Sequence, residues 1–145
     1  MEFPYIKLFP NSQPRPYLKV FLREGFRTSN EVIALVDSGA DFPIFPMEMA
    51  RDYLKLDLTN AKSKNFSGTT GVLQTALFAE VLLTVLGPDG TKFGKEVLTS
   101  CAFCDNLQAP GGALLGQIGF FSLFKAAFHQ PDEYFVIERW PEKVI

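Results

Sequence analysis

The residues best suited to chemistry lie in segment 34–41, whose sequence is Ala-Leu-Val-Asp-Ser-Gly-Ala-Asp. Asp37 follows an apolar run of strand length and precedes a turn of small residues. A carboxylate at a strand end can act as a general acid or base, and Gly39 lets another backbone approach closely. Ser38 can hydrogen-bond within or across the turn. Taken alone, the segment is more simply an ordinary strand-to-turn junction, where Asp-Ser-Gly is common.

A second short motif changes the interpretation of the first. Residues 114–116 read Leu-Leu-Gly, and they lie far downstream of Asp37. A helical spacing of bulky residues over 118–128 and a strand-like run over 133–140 follow them. Between the two motifs, segment 62–86 reads as a strand, a glycine-rich tip and a long strand, which is the pattern of a hairpin.

The elements that must position these motifs are mostly short strands, because Pro and Gly divide the chain at close intervals. Runs of aromatic and branched residues predict strands at 17–23, 31–37, 43–45, 62–66, 72–86, 91–103, 114–115 and 133–140. Two helices are predicted, one over 47–54 after Pro46 and one over 118–128. The sequence therefore predicts one mostly-β domain with two short helices.

The order of these features resembles that of the retropepsin-like aspartic proteases, over roughly residues 17–138. Residues 37–40 match the family's Asp-(Thr/Ser)-Gly-Ala signature, and residues 114–116 match its hydrophobic-hydrophobic-Gly signature. The resemblance implies a retropepsin-like acid-protease β-barrel with a flap hairpin over residues 17–145, preceded by an N-terminal arm at 1–16. It implies an aspartic endopeptidase that hydrolyses peptide bonds and uses no cofactor and no metal.

The resemblance also implies a role for each matching residue. Asp37 would be the catalytic carboxylate, and Ser38 would hold two aspartyl loops together. The substrate would contact the loop at Gly39, Ala40 and Asp41. Support for the active site would come from Leu114, Leu115 and Gly116. The flap that closes over the polypeptide substrate would be formed by Ser67, Gly68, Thr69, Thr70 and Gly71.

One position departs from the family's pattern. Many relatives carry an Arg after the hydrophobic-hydrophobic-Gly motif, and it pairs with the acidic residue of the aspartyl loop. This chain has Gln117 there, so Asp41 is expected to lack that ion pair.

A single chain supplies a single aspartyl loop. None of the other aspartates is followed by Ser/Thr-Gly after an apolar strand; they are Asp41, Asp52, Asp57, Asp89, Asp105 and Asp132. The hypothesis is a C2 homodimer in which the two copies of Asp37 meet on the axis. The 15 phenylalanines predict a large aromatic core, a subunit interface or both, and segment 134–145 is a candidate for that interface.

Composition narrows the other function classes. A net charge of -2 argues against a nucleic-acid partner, and no apolar run reaches the roughly 20 residues that span a bilayer. The first residues lack a signal-peptide pattern, so a cytoplasmic location is expected. Cys101 and Cys104 form the single CxxC, and His129 is the single histidine, which favours two reduced thiols over a metal site.

Two alternatives to the peptidase stay open on the sequence. One is a catalytically silent member of the same fold that serves as a dimeric peptide-binding or scaffolding module. The intact Asp37-Ser38-Gly39 run disfavours it, because a silent site would be free to drift. The other is an unrelated small β-barrel with a ligand in its apolar interior, in which Asp37 has no role.

Overall fold

The fold is built almost entirely from β-strands. The computed structural model describes residues 1–67, 71, 73–107, 109 and 111–141. The strands within these ranges are β1 (Glu2–Pro4), β2 (Tyr17–Glu24), β3 (Arg27–Thr28), β4 (Val32–Val36), β5 (Ile44–Pro46), β6 (Ser63–Ser67), β7 (Leu73–Leu86), β8 (Val97–Cys104), β9 (Gly112–Leu115), β10 (Phe124–His129) and β11 (Tyr134–Arg139).

Six of these strands close into a barrel. They are neighbours in the order β2, β4, β9, β5, β8 and β7, and β7 pairs back onto β2. The pairings of β4 with β9 and of β5 with β8 are parallel, whereas the other pairings of the barrel are antiparallel. A parallel pair needs a long crossover, and the chain between β4 and β9 provides it while forming β5, β7 and β8 of the same barrel.

A second, three-stranded sheet joins the two ends of the described chain. Its order is β1, β11, β10, and all its pairings are antiparallel. Phe135 at its centre is fully buried and stacks on Phe3 of β1, with ring centroids 5.4 Å apart. Within the predicted arm at 1–16, Ile6 also forms a bridge with Arg15. The start of the arm is therefore held on β11, and the bridge folds the rest of the arm back on itself.

The phenylalanines account for much of the core. Seven of the 15 are buried: Phe3, Phe42, Phe45, Phe103, Phe120, Phe124 and Phe135. The high phenylalanine content was expected to form a large aromatic core, a subunit interface or both. The fold shows the large aromatic core. Exposed rings are fewer, with Phe9, Phe26 and Phe128 among them.

The first predicted helix is present as a short helical segment at Met49–Tyr53, but the second is only partly right. Helical structure at Gln117–Phe121 is interrupted at Gly119, whose φ is 109°, and β10 then occupies Phe124–His129. The error has a physical reason: bulky residues four positions apart share one face of a strand as well as lying close together on a helix. No helix in the described ranges is long and apolar enough to cross a membrane.

The predicted strand 91–103 also begins later than expected. The turn at Pro88-Asp89-Gly90 is present, since the Gly90 amide donates to the Gly87 carbonyl at 2.9 Å. Beyond a bridge between Leu86 and Lys92, however, regular pairing resumes only at Val97. Gly94 lies between them with a φ of 71°, a left-handed conformation that interrupts a strand.

Phe120 tests how far the aromatic core stabilises the fold. Its ring is fully buried and stacks on Phe124 at 4.9 Å, so Phe120→Ala is expected to lower the free energy of unfolding by about 3–5 kcal/mol. The matched control is Phe26→Ala, where the ring is 93% exposed and a change within about 0.5 kcal/mol is expected. Denaturant unfolding at one protein concentration measures both, and equal losses would contradict this account of the core.

Candidate active site

Asp37 lies directly after β4, at the end of the parallel pair that β4 forms with β9. Val36 is paired with Leu115, and the Asp37 amide donates to the Leu115 carbonyl at 3.0 Å. Ala34 and Val36 point into the core, while Asp37 itself is half-buried. The apolar strand thus anchors the backbone of Asp37 and leaves its carboxylate at the barrel's edge.

The turn that follows folds back onto Asp37. The Gly39 amide donates to Asp37 Oδ1 at 2.9 Å, and the Ala40 amide donates to the Asp37 carbonyl at 3.2 Å. A Cβ at residue 39 would lie 3.1 Å from the same carboxylate oxygen, so a side chain there would crowd it. Ser38 and Gly39 are exposed. The small residues therefore let the turn close against the carboxylate.

The aspartyl loop packs directly against the backbone of Gly116. A Cβ at this position would lie 2.6 Å from the Ala40 carbonyl oxygen and 2.7 Å from both the amide nitrogen and the carbonyl oxygen of Phe42. Those are backbone atoms, which cannot rotate away as a flexible side chain can. The structure thus brings the two sequence motifs, 37–40 and 114–116, into direct contact.

The residues after Gly116 hold the loop by hydrogen bonds. The Gln117 amide donates to the Ala40 carbonyl at 2.9 Å, and the Ile118 amide donates to the Asp41 carbonyl at 2.8 Å. The Gln117 side chain donates from Nε2 to the Ser38 carbonyl at 2.6 Å. Asp41 is exposed, and within the described part of the chain its carboxylate forms no ion pair.

The predicted flap falls on the hairpin of β6 and β7. Its stem runs from the Ser63–Leu77 pair to the Ser67–Leu73 pair. Of the residues assigned to the flap, Ser67 ends β6 and Gly71 has a φ of 73°. The other three, Gly68, Thr69 and Thr70, lie outside the described residues.

An aromatic cluster that the sequence analysis missed connects the stem of the β6–β7 hairpin to the aspartyl loop. Phe42, which follows the loop, packs edge-on against Phe78 of β7 at 4.9 Å and against Phe66 of β6 at 6.4 Å. The ammonium of Lys64 lies 5.4 Å from the centre of the Phe42 ring. No periodic pattern indicates this contact, since its three rings come from three different strands or loops.

Both cysteines are free and buried, Cys101 inside β8 and Cys104 as its last residue. Burial raises the pKa of the Cys101 thiol strongly. Burial, with a smaller effect of the neighbouring Asp105 carboxylate, also raises the pKa of Cys104. A raised pKa keeps both in the unreactive thiol form. Across the described residues, no group of three or more His, Cys, Asp and Glu side chains is placed to hold a metal ion.

Comparison with known proteins identifies the fold. No protein-family model matches the chain, and no curated protein matches it in sequence. A crystal structure of a retropepsin-like aspartic protease from Rickettsia conorii is similar, with a TM-score of 0.59 and 19% sequence identity, over 95% of this chain and 98% of that chain. The chain therefore has the retropepsin-like fold. This confirms the predicted fold class and excludes the alternative of an unrelated β-barrel.

Gly116 provides a direct test of how the site is built. Gly116→Ala is expected to lower the free energy of unfolding by at least about 2 kcal/mol, because the added methyl meets fixed backbone. The control is Gly87→Ala, where a Cβ would lie 3.2 Å from Asp89 Oδ1 and 3.3 Å from Met1 Sδ. Met1 Sδ ends a flexible side chain, and Asp89 Oδ1 need give by only a few tenths of an ångström, so a loss below about 1 kcal/mol is expected. Denaturant midpoints compare the two, and a Gly116 variant as stable as the control would contradict the close approach.

Proposed function

We propose that the protein is an aspartic endopeptidase whose active species is a homodimer. The observation that carries this proposal is the position of the Asp37 loop in a chain with the retropepsin-like fold. The loop is held at the end of β4 by the Leu115 carbonyl and packs against the backbone of Gly116. The substrate class is polypeptide, bound between the aspartyl loop and the β6–β7 hairpin.

The chemistry needs two carboxylates that share one proton. Two carboxyl groups a few Å apart cannot both ionise easily, because their negative charges repel each other. Such a pair therefore shares one proton. The ionised carboxylate removes a proton from a water molecule between them, and that water attacks the scissile carbonyl carbon. The protonated carboxyl donates to the carbonyl oxygen, and the tetrahedral diol then collapses as the amine nitrogen is protonated and leaves.

Three of the six other aspartates form contacts of their own, which supports a second carboxylate supplied by a second chain. Asp57 accepts hydrogen bonds from the amide and hydroxyl of Thr59, and Asp89 accepts the same pair from Thr91. These bonds lower the pKa of both carboxyls, which are exposed in their own turns. Asp105 pairs with Arg51 at 3.3 Å. All three are thus occupied by structural contacts away from Asp37.

Asp37 carries the proposed chemistry, so its replacement tests the activity. Asp37→Asn keeps the shape of the side chain but cannot share a proton in the same way, and we expect peptide cleavage to fall by at least about 1,000-fold. Incubation with a mixed peptide library between acidic and neutral pH, read by mass spectrometry, measures the loss. The matched control, Asp132→Asn, changes an exposed aspartate of the turn Gln130–Asp132 and is expected to retain cleavage.

The outcomes separate the candidate functions. Cleavage by the wild-type chain that disappears in Asp37→Asn supports the peptidase. Peptide binding of equal strength by both chains, without cleavage by either, would support the silent peptide-binding module instead. Cleavage that survives the Asp37 substitution would contradict the proposed role of Asp37.

The dimer gives a second prediction. Because one chain supplies one aspartyl loop, specific activity is expected to rise with protein concentration and to follow the dimer fraction. Sedimentation velocity over the concentrations used in the assay measures that fraction. A chain that is monomeric throughout while its specific activity stays constant would overturn the dimeric mechanism.

A further inference from the structure

The side chain of Gln117 makes the one described hydrogen bond between a side chain and the backbone that joins the two motifs. Its Nε2 donates to the carbonyl oxygen of Ser38 at 2.6 Å, although the two residues are 79 positions apart in the sequence. Ser38 directly follows Asp37, so this bond acts on the peptide unit next to the carboxylate. It links the residue after Gly116 to the residue after Asp37.

The neighbouring bonds show what this side chain adds. Backbone amides of Gln117 and Ile118 donate to the carbonyls of Ala40 and Asp41, at 2.9 Å and 2.8 Å. Those two bonds form whatever side chain stands at 117, and they hold the far end of the loop. The Ser38 carbonyl, at the near end beside Asp37, is held by the carboxamide.

We propose that Gln117 is a positioning residue that fixes the orientation of Asp37 by holding the Ser38 peptide unit. The catalytic consequence rests on the proposed peptidase activity, whereas the structural consequence does not. The carboxamide is uncharged, so it holds the Ser38 carbonyl without placing a charge beside Asp37.

Few charged residues lie on the loop and strands that pack against Gln117–Phe121. Asp37 and Asp41 are the acidic residues of the loop that Gln117 contacts. The packed segment Gln117–Phe121 has no acidic or basic residue, and β8 presents Thr99 and Ser100 to it at Gly119. On β10, which also packs against this segment, Lys125 is exposed. The balance is acidic, which favours the protonated form of a carboxyl introduced at residue 117.

Two substitutions at this residue test the proposal through kcat and pH. Gln117→Met keeps the length and loses the donor, so kcat is expected to fall by about five- to tenfold at every pH, with KM within about twofold. Gln117→Glu is expected to show at least that deficit near pH 6.5, where it presents an acceptor to the Ser38 carbonyl. Near pH 4 its protonated carboxyl can donate again, and kcat is expected to return to within about threefold of the wild type.

Gln13→Met is the matched control, since Gln13 is exposed in the segment before β2, and it is expected to keep the wild-type kcat. If residue 117 only stabilised the fold, the two variants would not differ in their pH dependence. We expect Gln117→Glu to recover kcat at low pH and Gln117→Met not to recover it. Wild-type kcat in Gln117→Met would overturn the proposal, and so would a deficit in Gln117→Glu that is the same at pH 4 and pH 6.5.

A second measurement needs no activity. Amide hydrogen exchange at Gly39 and Ala40 reports opening of the turn, and Gln117→Met is expected to accelerate it about fivefold relative to Gln13→Met. Unchanged exchange would overturn the positioning role. If the wild-type chain cleaves no peptide, the proposed peptidase activity fails, and the exchange measurement still decides whether Gln117 holds the loop.

Discussion

The backbone of the aspartyl loop lies directly on the backbone of Gly116, where there is no room for a Cβ. That contact requires β4 and β9 to run side by side in parallel, with Val36 opposite Leu115. The parallel pairing in turn requires a long crossover, and the chain uses it to build β5, the β6–β7 hairpin and β8. The same excursion therefore supplies the rest of the barrel wall and brings the hairpin back toward the loop.

The core supports this arrangement on two sides. On one side, fully buried residues such as Phe45, Phe103 and Phe120 fill the barrel. On the other, Phe42 lies in a smaller apolar cluster with Phe66 and Phe78 from the hairpin stem. Residue 42 thus contacts Gly116 through its backbone and the hairpin through its ring. A displacement of the β6–β7 stem would be transmitted to the aspartyl loop through these packed rings, because close-packed side chains transmit strain.

The sequence was informative where chemistry imposes a local pattern. An apolar strand, a small-residue turn after Asp37 and a distant Leu-Leu-Gly are all visible as short motifs, and their order led to the correct fold class. Long-range side-chain contacts leave no such trace: nothing in the spacing indicates that Gln117 bonds to Ser38 or that Phe42 packs on Phe78. The bulky residues of segment 118–128 predict a helix because residues four apart share a face of a strand and also lie close together on a helix. Gly119, with its positive φ, interrupts the helical structure at the start of this segment, and β10 follows at Phe124.

The central claim is that one active site is assembled from two copies of Asp37. The most direct measurement is a calorimetric titration of the protein with a statine-type inhibitor, whose hydroxyl stands in for the hydroxyl of the tetrahedral diol. We expect saturation at one inhibitor for every two chains, because a single inhibitor occupies both aspartyl loops. Saturation at one inhibitor per chain would contradict the shared site, and absence of binding would contradict the aspartic peptidase chemistry itself.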